Sequence, residues 1–122
     1  SGDNNLLDNA TGKVDVDVDV PKLLCALKDD PLHVNPSKEE WSEIIGMTDL
    51  LFNNFLTDLR NKYSITRHEQ EICCLIKWNF SRKEQLTVFN NTPDALTKSK
   101  GRLKKRLGLD EKTDLDAYVR LL

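Results

Sequence analysis

A run of cations near the C-terminus is the feature of this sequence best suited to binding an anionic partner. Between residues 93 and 107 six basic side chains accompany a single acid, Asp94; they are Lys98, Lys100, Arg102, Lys104, Lys105 and Arg106. Lysine and arginine at this density can neutralise the phosphates of a nucleic-acid backbone. Leu96, Leu103 and Leu107 recur at helical spacing in the same segment. The pattern therefore predicts an amphipathic helix that presents its cations to solvent.

The distribution of charge along the chain supports this interpretation better than the net charge does. The 122 residues carry a formal charge of −2. Residues 1–64 contain 6 Lys and Arg against 12 Asp and Glu, whereas residues 65–122 contain 12 against 8. Such asymmetry indicates an acidic arm joined to a basic module.

The residue patterns of enzymes are missing from the sequence. There is no glycine-rich phosphate loop, no nucleophile elbow and no cluster of His and Cys at ligand spacing. We therefore predict no catalytic residues, no cofactor and no metal site. Cys73 and Cys74 are neighbours, and neighbouring helical side chains point about 100° apart, so one ion cannot readily take both thiols. With Cys25 they are predicted to be reduced thiols of a cytoplasmic protein.

Capping signals predict an all-α fold. Ser37, Thr66 and Ser81 are each followed by Glu three residues later, which is the pattern of a capping box at a helix N-terminus. Thr92-Pro93 places a capping side chain before a proline at the first helical position. Gly108 is predicted to end the basic helix, and Thr113-Asp114 to begin a last one.

The first half of the chain is predicted to hold two further parts. Residues 1–20 are predicted to be an acidic extended segment that is either mobile or a lone strand. The period-two alternation Val14–Val20 favours the strand, with its Asp residues on a solvated face. Residues 21–64 are predicted to be a helical extension. Within it, one short helix ends near Asp30, and another begins at Ser37. The break that follows is placed at Asn53-Asn54 or, alternatively, at Gly46.

Three segments in the second half, residues 66–72, 79–84 and 103–109, are similar to segments of LuxR-type regulators. The resemblance covers residues 65–122 and implies a four-helix helix-turn-helix DNA-binding domain, with residues 93–107 as the recognition helix in the major groove. It implies base contacts from Thr97 and Lys98. Backbone contacts are expected from Lys83 and Thr92, and from four cations of the helix: Lys100, Arg102, Lys104 and Lys105.

The resemblance also implies partners. Double-stranded DNA is the predicted ligand, and a homodimer on a two-fold site is expected because isolated modules of this kind bind weakly. Residues 39–41 and 72–77 resemble, more loosely, bacterial regulators in which a sensor domain precedes this region. The chain begins Ser1-Gly2, which resembles a cleavage scar and predicts a fragment of a longer protein.

An alternative function stays open at this point. Gly101 stands where the family commonly has a longer basic side chain, Ser99 replaces a frequent His, and Gln85 and Asn91 replace residues that are usually apolar. These departures favour a degenerate helix-turn-helix that acts as a protein-interaction or dimerisation module. In that case the acidic first half binds a partner or masks the basic helix.

Overall fold

Seven α-helices make up residues 18–122, the part of the chain that the computed structural model describes. They are α1 (Val20–Asp29), α2 (Lys38–Leu51), α3 (Phe55–Tyr63), α4 (Arg67–Lys77), α5 (Arg82–Val88), α6 (Pro93–Arg106) and α7 (Leu115–Arg120). Within these residues there is no strand, so the prediction of an all-α fold is confirmed. None of these helices is long and apolar enough to cross a membrane.

The predicted caps are present and explain where the helices begin. At α2 the hydroxyl of Ser37 accepts from the amide of Glu40 at 3.0 Å, and the Glu40 carboxylate accepts from the Ser37 amide at 2.8 Å. The same reciprocal pair of bonds begins α4 at Thr66 and α5 at Ser81. Thr92 caps α6, with Pro93 at its first position. Each cap satisfies backbone amides that a helix N-terminus leaves without partners.

A left-handed residue follows each of the helices α4, α5 and α6. Asn79 (φ 68) follows α4, Asn90 (φ 51) follows α5 and Gly108 (φ 71) follows α6. Asparagine and glycine adopt this conformation at low cost. The amides after each turn then bond back to the preceding helix, as Leu109 does to the carbonyl of Lys104 at 2.9 Å. These turns set the direction in which the chain leaves α4, α5 and α6.

The structure overturns one expectation about the first half and decides between two alternatives. Val20 is not in a strand: it begins α1, and Asp19 is the N-cap, whose carboxylate accepts from the amide of Lys22 at 3.1 Å. A side chain that caps a helix overrides the alternating pattern. Gly46 does not break α2 but lies inside it, and the break falls at Asn53 and Asn54, both left-handed. The rest of the predicted strand, residues 14–17, lies outside the described residues.

One hydrophobic core, from Val20 to Val119, joins the predicted helical extension, residues 21–64, to residues 65–122. Helix α4 is central, because α2, α6 and α7 all pack against it. Its residues Ile72, Cys73, Cys74, Leu75 and Ile76 are completely buried. The Trp41 ring of α2 stacks on Phe89 at the end of α5, with ring centroids 6.1 Å apart. Residues 21–64 therefore cover core side chains that residues 65–122 would otherwise expose.

Helix α3 takes its N-terminal cap from the preceding helix. Its N-cap residue, Asn54, makes no side-chain capping bond. Instead the buried carboxylate of Asp49 accepts from the amides of Leu56 and Thr57, at 2.8 and 3.3 Å, and from the Thr57 hydroxyl at 2.6 Å. Asp49 thus replaces the local cap and ties α3 to α2.

We expect Gly46→Ala to stabilise the fold. Gly46 is exposed in the middle of α2, and a Cβ added there meets nothing within 4 Å. Glycine in a helix interior costs about 0.5–1 kcal/mol relative to alanine, because its unfolded backbone has more freedom to lose. Urea titration of the two proteins should give a higher midpoint for the variant with an unchanged slope. An equal or lower midpoint would contradict the explanation.

Candidate nucleic-acid interface

Helix α6 buries one side and leaves the other in solvent. Leu96, Ser99 and Leu103, with Leu107 just past its end, face the core. The opposite side carries Asp94, Lys98, Gly101 and Lys105, which are spaced about one turn apart. We call these four positions the α6 face. Lys98 and Lys105 on it are exposed, and Gly101 is half-buried.

Three of the six cations of α6 are engaged inside the protein. The Lys100 ammonium lies 2.9 Å from the Asp116 carboxylate of α7, and the Lys100 side chain is only 12% exposed. Lys104 donates to the carbonyls of Glu111 and Thr113, at 2.6 and 3.0 Å. Arg106 pairs with Glu69 of α4 at 2.8 Å. Acids offset the charges of Lys100 and Arg106, so the charge count of the helix overstates the charge that α6 offers to a ligand.

The other three cations point outward. Lys98 makes an exposed pair with Asp94, one turn earlier, at 3.2 Å. Arg102 is exposed and donates to the Ser99 hydroxyl at 3.2 Å, and Lys105 is exposed on the α6 face. Exposed pairs between such side chains contribute little free energy, so Lys98 can exchange Asp94 for another anion.

The remaining predicted contact residues lie around the N-terminal end of α6. Thr97 is exposed, and its hydroxyl accepts from Arg82 of α5 at 3.0 Å; Arg82 also donates to the Pro93 carbonyl at 3.3 Å. The Thr92 hydroxyl is occupied by the cap of α6, where it accepts from the Ala95 amide. Lys83 is exposed at the start of α5. Arg82 was not predicted as a residue of this surface, because its partner Thr97 is 15 residues away and no local sequence pattern indicates such a contact.

A polar network joins α5, α6 and α7 beneath this surface. Gln85 is completely buried, and its amide nitrogen donates to the Phe80 carbonyl at 2.9 Å and to the Asp116 carboxylate at 3.1 Å. The second oxygen of that carboxylate accepts from Lys100. Among the described residues the Gln85 amide oxygen has no hydrogen-bond partner. The polar residue at position 85 is therefore part of a specific link between three helices.

A broad groove of about 810 Å³ runs between α6 and α7. We call it the α6–α7 groove. Gly101 and Leu109 contribute to its wall, together with Thr113 and Leu115. Its charged lining comprises Arg82, Lys100, Lys104, Lys105, Lys112 and Arg120 against Glu111, Asp114 and Asp116. The excess of cations makes this concave surface, like the α6 face beside it, suited to an anionic ligand.

The cysteines of α4 lie in the core, away from both surfaces. Cys73 and Cys74 are fully buried free thiols, and Cys25 is an exposed one. Burial raises the pKa of Cys74 to about 12 and raises that of Cys73 as well, because the low-dielectric core disfavours the thiolate. Both α4 thiols therefore remain protonated and serve as small apolar side chains.

Glu84 provides a pH-dependent link between α1 and α5. The pKa of its carboxyl lies below the ordinary value, chiefly because the Ser81 amide donates to it and secondly because Lys28 of α1 bonds it at 2.9 Å. A depressed folded-state pKa means that Glu84 stabilises the fold above its unfolded-state pKa and loses this contribution as the pH falls through the lowered value. Urea titrations should therefore show Glu84→Gln less stable than the parent at neutral pH, with a difference that shrinks on acidification. A constant difference would contradict this assignment.

Comparison with known proteins adds no relative to this description. No family model, no curated protein and no solved structure matches the chain.

Proposed function

We propose that this chain is a sequence-specific DNA-binding transcriptional regulator, in which α4–α7 form a LuxR-type helix-turn-helix domain and α6 is the recognition helix. One observation carries the proposal: an exposed face bearing Lys98 and Lys105, with Arg102 on its flank, lies on a helix that internal ion pairs hold against α4 and α7. A rigid helix with free cations and few exposed acids matches what a major groove accepts.

The contact residues divide into those that read bases and those that meet phosphates. Thr97 and Lys98, near the N-terminal half of α6, contact base edges in this proposal. Lys83, Arg102 and Lys105 contact the DNA backbone because their side chains are exposed. Thr92, Lys100 and Lys104 contribute mainly by holding α6 in place, since each is bonded within the protein.

The proposal extends to a homodimer on a two-fold site, following the resemblance to LuxR-type regulators. Two copies would double the number of phosphate contacts and place two recognition helices in successive major grooves. Half-sites are then expected about one helical turn, or roughly 34–36 Å, apart.

Salt-dependent binding by the full chain tests the function. We expect affinity for duplex DNA to fall with salt. In the double variant Lys98→Gln with Lys105→Gln, loss of the phosphate contact of Lys105 should lower the logarithmic slope by about 0.9, and loss of Lys98 should further weaken binding to a selected sequence. At about 0.1 M salt the loss of one phosphate contact should weaken binding roughly eightfold. Fluorescence polarisation with labelled duplexes, from random to selected sequences, measures both quantities.

The matched control exchanges two exposed lysines of the extension, Lys22→Gln with Lys62→Gln. It removes the same charge from the chain but leaves the α6 face intact, so its slope should equal that of the parent. Equal reductions in affinity in the two double variants, or no duplex binding by the parent, would contradict the proposed function. Point substitutions are preferable to a fragment of residues 65–122, because that fragment lacks the helices that cover Phe89 and α4.

Exposed leucines favour a second candidate, a protein-interaction module. Leu50 and Leu51 are 75% and 55% exposed at the end of α2, and Leu121 and Leu122 are exposed after α7. Each pair is adjacent in sequence, and contiguous exposed apolar surface commonly marks an interaction site. A folded chain that self-associates through these leucines and binds no duplex at any salt concentration would support this candidate over DNA binding.

A further inference from the structure

The α6–α7 groove carries positive charge that the proposed recognition helix does not account for. Lys112 lies in the loop after α6, and Arg120 lies in the last turn of α7. Both are exposed, and within residues 18–122 neither side chain forms an ion pair. They face the same concavity as Lys105 of the α6 face and Arg82 of α5. Four cations from four separate segments therefore converge on one groove.

Two of the three acids in this groove are already occupied by partners in the protein. Both oxygens of the Asp116 carboxylate accept hydrogen bonds, one from Lys100 and one from Gln85. The Asp114 carboxylate caps α7 by accepting from the Ala117 amide at 3.1 Å. Glu111 contributes its backbone carbonyl to Lys104. Bonds to neutral backbone groups cancel neither the charge of Lys104 nor that of Asp114, so the six cations of the groove still exceed its three acids by three.

The groove also adjoins the surface that a recognition helix would present to DNA. Gly101 and Lys105 belong to the α6 face and line the groove as well. A Cβ built on Gly101 meets nothing within 4 Å, so this side of α6 is open to a ligand. A helix lying in a major groove has a phosphate strand on each flank, and cations beside the helix meet those strands rather than the bases.

We propose that the α6–α7 groove binds one phosphate strand of duplex DNA, with Lys112 and Arg120 as backbone contacts beside Lys105. The inference rests on the proposed DNA-binding function and extends it to residues that the sequence did not single out. A phosphate strand fits better than a small anion, because the groove is open to solvent and its cations come from several separate segments of the chain. These contacts position the protein and carry no sequence preference.

The test compares the full chain with Lys112→Gln and Arg120→Gln, singly and together, in a polarisation titration against duplex DNA at several salt concentrations. Each single variant should lower the logarithmic salt slope by about 0.9 and weaken binding roughly eightfold at about 0.1 M salt, and the double variant should lower the slope by about 1.8. The reduction should be the same for a preferred and a random duplex, because phosphate contacts do not read sequence. Unchanged circular dichroism and urea midpoints verify that the variants are folded.

Three outcomes distinguish failure of the groove from failure of the function. If the salt slope is unchanged in Lys112→Gln and in Arg120→Gln, while Lys98→Gln with Lys105→Gln lowers it, the groove proposal is overturned and the proposed function stands. A comparable reduction in the Lys22→Gln with Lys62→Gln control also overturns it, because the effect would then follow net charge. Absence of salt-dependent duplex binding by the parent overturns both proposals.

Discussion

Asp116→Ala should destabilise the protein by about 3 kcal/mol, because it leaves the Lys100 ammonium and a donor of the Gln85 amide without their partner. The value is at the lower end of the range for buried pairs, since the Lys100 and Asp116 side chains stay 12% and 19% exposed. Removal of this link should also loosen α6 against α7, so duplex affinity should fall although Asp116 itself is an acid. Urea titration measures the first effect and polarisation the second.

Two further variants separate the ion pair from a general cost of substitution. Glu43→Ala removes an exposed acid of α2 and should change stability by no more than about 0.5 kcal/mol. Lys100→Met with Asp116→Leu replaces both charges by apolar groups and should recover part of the stability, since no buried charge is left alone. Additive effects of Lys100→Met and Asp116→Leu, measured singly and together, would refute the coupling between Lys100 and Asp116.

Asp49→Ala is expected to cost about 3 kcal/mol, because it leaves two backbone amides at the start of α3 without an acceptor. The Leu56 amide is the more expensive of the two, since Leu56 is completely buried. Arg60, 3.9 Å from the carboxylate, is also deprived of its nearest anion. Equilibrium unfolding in urea gives the value.

Asp49→Asn is the matched control for this cap. Its amide oxygen can still accept from the Leu56 amide, so the variant should be destabilised less than Asp49→Ala. Asp58→Ala, which removes an exposed acid in the first turn of the same helix, should cost well under 1 kcal/mol. An effect at Asp58 as large as at Asp49 would show that the charge near the helix N-terminus matters more than the capping bonds.

The starting points of α2, α4, α5 and α6 were predictable because their signals are local. A Ser or Thr followed by Glu three residues later satisfies helix N-terminal amides whatever the rest of the chain does, and all three such sites are capping boxes in the structure. The prediction of a strand that reaches Val20 is wrong. The valine–aspartate alternation is also a local signal, but it does not indicate that Asp19 caps a helix.

Contacts between residues that are far apart in the chain could not be predicted from the sequence. Gln85, taken alone, looked like a polar substitution in the core, because its partner Asp116 lies 31 residues further on. The cap of α3 comes from Asp49, five residues before the N-cap position, where no capping pattern places it. The groove residues Lys112 and Arg120 are separated from Arg82 by the whole of α6, so no spacing rule joins them.

The run of six cations between residues 93 and 107 was evident from the sequence, together with the helix that carries it and the acidic character of the first half. The tertiary structure decided which of those cations are free. Lys100, Lys104 and Arg106 are bonded to α7, to its preceding loop and to α4, whereas Lys98, Arg102 and Lys105 face solvent. Amphipathic spacing separates a buried side from an exposed one, but only packing brings the partner of each charge within hydrogen-bond distance.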